Sequence, residues 1–428
     1  MGAMVLESPS PAREHEGDRV VAQAANAGGY PLALPGPEAA APPFEEPWLG
    51  GVRVAVLNFR EPGQSVAGGA EEYAWQVCRY LVSRGARVDF VTGREPGQPR
   101  TEVLDGITLH RMGGKFSVYA LAPLWLARHR RSFDIVIDCM NGIPFFAPAV
   151  VPRRVPVISM VHHVHDRQFY AFLPHWLARI GCFIEGPVAH RLYRNCTTVT
   201  VSESSRTELR EKLGWRAPIH VIPNGSPIAA EIGEGTAAGD PAVVYLGRLV
   251  VHKRVERVVD LAETLAPDWP GMHVHVVGRG PELEPLSERV AAKGLRDRVH
   301  LHGFLDDPEK NAVLASARLA VTASEFEGWG LTVIEAAALG VPTVAYDVPG
   351  LRDSVKDGET GWLVRDGEDL PGVVSRALKE LADPERREEV RRACTAWARE
   401  FTWGKTGSSM TSLIAAELAK STKRPSSP

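Results

Sequence analysis

Short apolar segments alternate with amphipathic segments along most of the chain. The apolar runs are rich in β-branched residues, as expected for strands that are buried on both faces. They lie at residues 52–57, 88–91, 107–109, 135–137, 155–161, 198–202, 219–222, 242–246, 273–277, 299–305 and 318–322. After the first run, Tyr73, Val77 and Leu81 recur at helical spacing. This alternation predicts an α/β protein with parallel sheets and right-handed crossovers.

Two segments lack such periodicity and indicate how the chain is divided. Residues 1–49 are rich in Ala, Pro, Gly and Glu, and we interpret them as an irregular leader. Residues 226–240 combine a proline with several glycines, which is typical of a linker. The chain has 428 residues and is long enough for two domains. We therefore expect an N-terminal domain at 50–228 and a C-terminal domain at 229–404.

Composition and charge narrow the functional classes. A hydrophobic content of 44% and a charged content of 24% are typical of a soluble globular protein. The net charge of −3 argues against a nucleic-acid-binding protein, because no dominant basic field exists. The five cysteines are scattered without metal-ligand spacing, which fits a reducing compartment. With no apolar run near the ~18 residues of a membrane span, we expect a cytoplasmic protein.

The strand at 318–322 leads into a glycine-bearing turn and then a helix. Gly328 and Gly330 remove side chains where the backbone would approach a ligand closely. The helix beginning near Leu331 offers unpaired N–H groups and a partial positive charge, which suit a phosphate oxygen. Glu327 and Glu335 bracket this turn, and their carboxylates would accept hydrogen bonds from sugar and ribose hydroxyls. In open α/β sheets such a strand end faces the ligand.

Two further strand ends carry features suited to phosphate. Gly68 and Gly69 precede the helix that contains Tyr73, although a double glycine before a helix is a weak signal alone. Gly247 follows the strand at 242–246 and is followed in turn by Arg248 and Lys253. The planar fork of Arg and the point charge of Lys both suit pyrophosphate oxygens. Solvated basic side chains are the alternative interpretation of this pair.

Histidines and aspartates raise the question of a metal site. His162, His163 and His165 follow the strand at 155–161, but neighbouring residues of an extended segment point in opposite directions. No Cys or carboxylate set completes a metal site beside them. Asp306 and Asp307 resemble a metal pair, and we instead expect them to cap the following helix. We therefore expect no metal site.

Residues 169–194 form a long amphipathic stretch whose apolar residues are Phe172, Trp176, Leu177, Ile180, Phe183 and Ile184. We favour a role for this stripe in the core or in a domain interface. An interfacial membrane helix would look similar, and the basic residues nearby keep a peripheral membrane contact open. These basic residues are His175, Arg179, Arg191 and Arg194.

Several of these motifs occur together in one known family. Glu327-Gly328-Trp329-Gly330-Leu331, with Glu335 eight positions after the first glutamate, resembles the Glu-x7-Glu signature of family 4 (group 1 type) retaining glycosyltransferases, which have the GT-B fold. The same family carries strings like Gly68-Gly69-Ala70-Glu71, Val201-Ser202-Glu203, Ile222-Pro223-Asn224-Gly225 and Gly247-Arg248 with Lys253. The resemblance spans about residues 52 to 418 in family order.

The resemblance implies an architecture and an activity. Two Rossmann-like doubly wound parallel-sheet domains would face each other across a cleft, and a C-terminal helix at 405–428 would cross back to the first domain. The enzyme would move a hexosyl-type sugar from a nucleoside-diphosphate sugar, with UDP favoured, to an acceptor hydroxyl by front-face displacement with retention. No metal and no cofactor are implied, because the nucleotide sugar is a substrate.

The resemblance also implies roles for individual residues. Arg248 and Lys253 would hold the leaving diphosphate, and Glu327 and Glu335 would hold the sugar and the ribose. The histidine at the end of the strand at 155–161 would lie near the reacting centre; His162 is our choice and His163 the alternative. The remaining donor-binding residues would be Gly69, Gly247, Phe304 in the segment that walls the base, Gly328, Trp329, Gly330 and Leu331.

Rival functions stay open at this stage. A nucleotide-sugar-binding protein without turnover would show substituted glutamates or cations, and here these residues are all present. Another GT-B enzyme, such as an epimerase or phosphorylase, is also considered, although no cofactor lysine is marked. Gly278 and Gly280, after the strand at 273–277, match the start of the dinucleotide-binding pattern Gly-x-Gly-x-x-Gly. Leu283 occupies the third glycine position, which disfavours an NAD-dependent dehydrogenase. The acceptor, a small molecule, a glycan or a lipid-linked sugar, would meet residues 60–66, 112–119 and 164–185. The oligomeric state is left open.

Overall fold

The computed structural model describes residues 46–64, 67–226 and 241–422. Nearly all of the predicted leader and most of the predicted linker lie outside the described residues. Within the described ranges, the strands form one eight-stranded and one six-stranded sheet.

The first sheet contains strands from the N-terminal half of the chain. Its order is β3-β4-β2-β1-β5-β6-β7-β8, and its strands are β1 Arg53–Leu57, β2 Arg87–Thr92, β3 Thr101–Leu104, β4 Ile107–Arg111, β5 Ile135–Met140, β6 Val157–Val161, β7 Thr197–Thr200 and β8 Ile219–Val221. Neighbouring strands are parallel; for example, Val54 pairs with Val88 on one side and with Ile135 on the other. The exception is β3, which runs antiparallel to β4 at the edge.

The second sheet is entirely parallel among the described strands. Its order is β11-β10-β9-β12-β13-β14, and its strands are β9 Ala242–Leu246, β10 His273–Val277, β11 Val299–Gly303, β12 Leu319–Thr322, β13 Thr343–Tyr346 and β14 Gly361–Val364. Parallel strands require crossover connections, which the intervening helices supply. The parallel α/β architecture predicted from the hydrophobic pattern is therefore confirmed.

Helices connect the strands of both sheets. They are α1 Gly69–Ser83, α2 Val118–His129, α3 Ala147–Val150, α4 Asp166–Phe172, α5 His175–Phe183, α6 Ala189–Tyr193, α7 Glu203–Glu211, α8 Val255–Val259, α9 Leu261–Thr264, α10 Leu283–Ala292, α11 Asp307–Ser316, α12 Leu331–Ala338, α13 Leu351–Ser354, α14 Leu370–Glu380, α15 Pro384–Ala398 and α16 Trp403–Thr422. A π-helix at Ile184–Val188 joins α5 to α6, and a 3-10 turn covers Val251–Lys253.

Both faces of the first sheet are covered, which explains its continuous apolar strands. Alternate residues of β1 enter different core clusters: Val54 and Val56 enter one, and Ala55 and Leu57 enter the other. The predicted stripe of α1 packs into the first of these clusters and is fully buried.

The structure corrects our preferred interpretation of residues 169–194. Trp176, Ile180 and Phe183 are exposed and belong neither to the core nor to a domain interface, whereas Leu177 and Ile184 are partly buried. Helix α5 instead packs through its small residues Ala178 and Gly181, and a Cβ at Gly181 would lie 2.9 Å from the ring of Phe169. Helical spacing identified the stripe but did not reveal which side of the helix faces the protein. No helix within the described ranges is long and apolar enough to cross a membrane.

The last helix packs on the N-terminal half of the chain. Thr406 Oγ1 in α16 donates a hydrogen bond to the Pro223 carbonyl at 2.8 Å, and Thr197 Oγ1 donates to Glu417 at 2.8 Å. Gly407 allows this close approach, because a Cβ there would lie 2.1 Å from the ring of Tyr80 in α1. The domain boundaries at residues 228 and 404 stay a prediction.

Two glycine substitutions in α16 are expected to have opposite effects on stability. Gly407→Ala should destabilise the protein by about 1–3 kcal/mol, because the new methyl group overlaps the Tyr80 ring. Gly404→Ala should stabilise it by up to about 1 kcal/mol, because its Cβ would meet Thr402 Oγ1 at an ordinary 3.7 Å and alanine favours a helix. Urea unfolding of both variants measures this difference, and equal effects would contradict the packing described.

Candidate functional site

Turns at the carboxyl ends of strands in the two sheets contact each other. The guanidinium of Arg248, after β9, lies against Gly68, where a Cβ would be 3.3 Å from its Cζ. A Cβ at Gly69 would lie 3.9 Å from Leu331 Cδ2, and a Cβ at Gly328 would lie 2.8 Å from the His162 carbonyl oxygen. These contacts bring five predicted site residues together in one cleft between the sheets: Gly69, His162, Arg248, Gly328 and Leu331.

Two helices begin in this cleft with no side chain on their first-turn N–H groups, although Glu71 accepts a hydrogen bond from the Gly68 N–H ahead of α1 at 2.8 Å. The N-cap residues of α1 and α12 are Gly68 and Gly330, and Gly330 has a φ of 95° that favours glycine. The first-turn N–H groups of both helices, at Gly69 and Leu331, therefore need other acceptors. Two helix N-termini with their partial positive charges form a favourable seat for a diphosphate.

Cations from both halves of the chain surround this seat. Burial lowers the pKa of Arg60, Glu71 opposes that change, and the nearby positive charge of Arg248 lowers the pKa further. Arg60 stacks over the ring of Phe59 at 4.1 Å. The sequence places Arg60 in the expected acceptor region at 60–66, which stays a prediction, and gives no local signal for its position near Arg248.

Lys253, which follows β9, and Glu327, which follows β12, form an ion pair at the edge of the second sheet that borders the cleft. The side chains are 15% and 22% exposed, so the pair is largely shielded from water. Burial alone would raise the pKa of Glu327, but Lys253 holds the pKa below its ordinary value, with smaller help from His163 and Arg248. Glu327 is thus an ionised hydrogen-bond acceptor, and Lys253 keeps it so.

Glu335 is held by a lysine that sequence analysis missed. Lys310 Nζ lies 3.4 Å from Glu335 Oε1 and 2.8 Å from Asp307 Oδ1. Burial raises the pKa of Glu335, and Lys310 partly offsets this rise. Asp306 caps α11 as predicted, since its side chain accepts a hydrogen bond from the Glu309 N–H at 2.9 Å. No short motif could reveal Lys310, because its contact with Glu335 spans 25 residues.

The histidines after β6 occupy different environments. The ring of His162 is buried against Tyr73 with 5.2 Å between centroids, and its Nε2 has no hydrogen-bond partner among the described residues. His163 Nε2 lies 3.0 Å from Gln168 Oε1, and its ring stacks on His165 at 4.1 Å. The carboxylate of Glu327 is close enough to affect the pKa of His163. Both histidines therefore border the cleft: His162 packs against Tyr73 of α1, and His163 lies near Glu327.

Protein stability is expected to fall as the pH drops from about 6.5 towards 4. Burial lowers the pKa of His162 to about 3 and those of His163 and His165 to about 4, and neighbouring imidazoles add to the effect for His162 and His163. The unfolded chain binds these protons near pH 6.5, so acid favours unfolding by on the order of 1–2 kcal/mol per histidine.

Denaturant unfolding at neutral pH and near pH 5 measures this dependence. His162→Gln removes one of the groups that take up a proton on unfolding, so its decline in stability should be smaller than that of the wild type. Equal declines in the two proteins would show that His162 does not remain neutral in the folded state.

The remaining predicted donor residues are placed as follows. The backbone of Gly247 packs on Gly278, where a Cβ would lie 1.8 Å from the Gly247 carbonyl oxygen. Phe304 is 65% exposed, and the guanidinium of Arg279 lies 5.0 Å from the centre of its ring. The indole of Trp329 is buried against Phe401 at 4.8 Å, so only its backbone amide remains for a ligand.

Metal ligands are not clustered in the part of the chain that the structure describes. Within residues 46–64, 67–226 and 241–422, no group of three or more His, Cys, Asp or Glu side chains is arranged to hold a metal ion. The cleft instead combines cations, helix N-termini and two separate carboxylates. This combination can bind a diphosphate and accept hydrogen bonds from hydroxyl groups.

Two family models match the chain. The model described as Glycosyl transferases group 1 matches residues 231–397, and the model described as Glycosyltransferase Family 4 matches residues 67–229. A D-inositol 3-phosphate glycosyltransferase from Acidothermus cellulolyticus is 28% identical over 81% of this chain and 85% of its own length.

Solved structures show the same fold. Sucrose-phosphate synthase from Thermosynechococcus elongatus superposes with a TM-score of 0.72 and 21% identity, covering 86% of this chain and all of the other. Anabaena HepE, solved in complex with UDP-glucose, has a TM-score of 0.66 and 18% identity over 86% of this chain and 99% of its own. The GT-B fold expected from the sequence is thereby confirmed.

Proposed function

Because the chain belongs to the group 1 glycosyltransferases, we propose that it transfers a hexosyl-type sugar from a nucleoside-diphosphate sugar to an acceptor hydroxyl with retention of configuration. UDP is the favoured nucleotide, in line with the UDP-glucose bound to HepE. The acceptor hydroxyl belongs to a small molecule, a glycan or a lipid-linked sugar. The reaction proceeds without a metal ion.

One observation carries this proposal: two helix N-termini with glycine N-caps and two basic side chains converge in the cleft. Gly69 and Leu331 are the first residues of α1 and α12, and Arg248 lies against Gly68 between them. Lys253 adds a second cation beside Glu327. Such a seat stabilises the charge that develops on a departing diphosphate more strongly than it stabilises the intact donor.

The carboxylates and the histidine would orient the donor in this seat. Glu327 accepts hydrogen bonds from hydroxyls of the transferred sugar, and Glu335 does so from the ribose. His163 lies beside Glu327, and His162 offers a buried Nε2 that still needs a partner. Phe304, with Arg279 over its ring, would form a wall for the base.

The proposed chemistry is a front-face displacement. The bond between the anomeric carbon and the diphosphate oxygen breaks, and the acceptor oxygen bonds to the same face of that carbon. The proton of the acceptor hydroxyl passes to the leaving phosphate oxygen, so no side chain has to act as a base. Arg248, Lys253 and the helix amides stabilise the negative charge that the phosphate gains.

Product analysis tests the chemistry. Purified protein with UDP-glucose and an acceptor panel of polyols, aminocyclitols and short glycans should release UDP together with a glycoside. The proton coupling at the anomeric carbon in an NMR spectrum should report the α configuration of the donor. A β product would exclude retention, and donor binding without a product from any acceptor class would favour a binding protein without turnover.

A further inference from the structure

Helix α5 presents an unpartnered apolar face to solvent. Trp176, Ile180 and Phe183 follow each other at helical spacing and are 66%, 44% and 60% exposed. Tyr170 of α4 is 44% exposed and extends this face, because its ring lies 5.5 Å from that of His175. Large apolar side chains grouped in this way on a soluble surface mark a contact with another phase or molecule. We refer to Tyr170, Trp176, Ile180 and Phe183 as the α5 face.

Basic side chains outnumber acidic ones around the α5 face, where the partly exposed Asp166 of α4 is paired with Lys212 at 3.4 Å. Arg179 is exposed and lies on the same side of the helix as Trp176 and Phe183. The helical run continues through the π-helix into α6, where Arg191 is also exposed. From residue 167 to residue 202 the chain has one acidic residue, Glu185, and that side chain is buried.

Helix α2 repeats the same combination. Phe116, Leu121 and Leu124, in or just before α2, are exposed, and α2 ends in a basic run at 128–131. Residues 106–133 contain no acidic residue. Helices α2 and α6 pack into the same core cluster and therefore lie on the same face of the first sheet. Two apolar and basic surfaces thus share one helix layer of a chain whose net charge is −3.

We propose that the α5 face docks on an anionic lipid membrane. Aromatic side chains beside arginines suit the boundary between acyl chains and headgroups, where the ring is buried and the cation meets a phosphate. A second copy of this chain fits less well, since a two-fold contact would bring the like charges of Arg179 from both copies together. Because α4 and α5 follow β6, the membrane would lie beside the cleft that holds His163.

Vesicle co-sedimentation of the full chain tests this proposal without using the transfer reaction. The wild type should bind vesicles containing phosphatidylglycerol and not pure phosphatidylcholine vesicles. In the double variant Trp176→Ser/Phe183→Ser, partitioning into vesicles should fall more than tenfold, because the two aromatic side chains that would insert into the membrane are gone. Arg179→Glu changes the charge by two and should weaken binding on the order of tenfold or more, with a loss that disappears at high salt.

Trp48→Ser is the matched control. Trp48 is 69% exposed before β1, near Arg84 at the far end of α1 and away from the cleft edge of the same sheet. Its removal should leave vesicle binding unchanged, and UDP binding by all variants shows that they are folded. Equal binding to neutral vesicles, equal binding by the double variant, or a dimer that dissociates in the double variant would each overturn the proposal. Failure of UDP to bind would count against the transferase and not against the membrane surface.

Discussion

Replacing Arg248 by alanine is expected to lower the transfer rate by a factor on the order of 10²–10³. Its guanidinium lies against Gly68 at the start of α1, where a Cβ would be 3.3 Å away, and so reaches from the second sheet to the first. A charged donor in a cleft with little water stabilises the departing diphosphate far more than it would in bulk solvent. Steady-state kinetics with UDP-glucose and the preferred acceptor measure the effect, which should fall mainly on kcat.

Arg376→Ala is the matched control for this prediction. Arg376 lies in α14 of the same half of the chain, is half exposed and pairs with Glu368 on the surface. An exposed ion pair of this kind contributes little to the free energy of unfolding, so turnover and stability should stay near the wild-type values. Wild-type turnover in Arg248→Ala would mean that the diphosphate does not leave through this seat.

Replacing Lys253 by methionine is expected to lower turnover at neutral pH by a factor on the order of 10²–10³ and to change its pH dependence. The substitution removes a cation from the diphosphate seat and also the partner that keeps the pKa of Glu327 low against its burial. The pKa of Glu327 should therefore rise above its ordinary value. Part of the lost activity should return as the pH increases, because Glu327 ionises again.

The pH profile of kcat separates these two effects. Loss of phosphate stabilisation lowers turnover equally at all pH values, whereas protonation of Glu327 adds an acidic limb. In the double variant Lys253→Met/Glu327→Gln that limb should vanish, since no carboxyl group remains to titrate. Lys405→Met, which removes an exposed partner of Glu400, should leave the profile unchanged. A Lys253→Met profile parallel to that of the wild type would show that Lys253 does not control Glu327.

The fold was predictable because both sheets are parallel, apart from the edge strand β3, and are covered on both faces. Buried parallel strands appear as continuous apolar runs, and β1, β6, β9 and β12 all lie within such runs. Two strands were not predicted: the edge strand β3, which is short and mostly exposed, and β13, which is buried but only four residues long. Periodicity also could not tell that α5 packs through Ala178 and Gly181, since small residues carry little hydrophobic signal.

The candidate site was predictable where a motif is local in sequence. The turn from Glu327 to Leu331 and the pair of Arg248 and Lys253 follow directly after strands, where parallel topology places ligand-binding residues. Residues that reach the site from elsewhere gave no local signal. Arg60 approaches Arg248 from the other sheet, and Lys310 reaches Glu335 from the preceding helix.

The choice between His162 and His163 depends on a detail that a strand pattern does not contain. Neighbouring residues after β6 point to opposite sides, and the bend into α4 decides which one faces Glu327. In the structure, His163 lies close enough to Glu327 for that carboxylate to affect its pKa, whereas the ring of His162 packs against Tyr73. The roles of both stay predictions.

Calorimetric titration of the full chain with UDP, GDP, ADP and NAD, without added metal, tests the central claim most directly. We expect one nucleoside diphosphate, UDP first among them, to bind tightly, and we expect that binding to be lost in Arg248→Ala and retained in Arg376→Ala. Such a result would place the diphosphate in the seat formed by Arg248, Lys253 and the two helix N-termini. Binding of NAD alone, or of none of the four, would contradict the assignment of this cleft to a nucleotide-sugar donor.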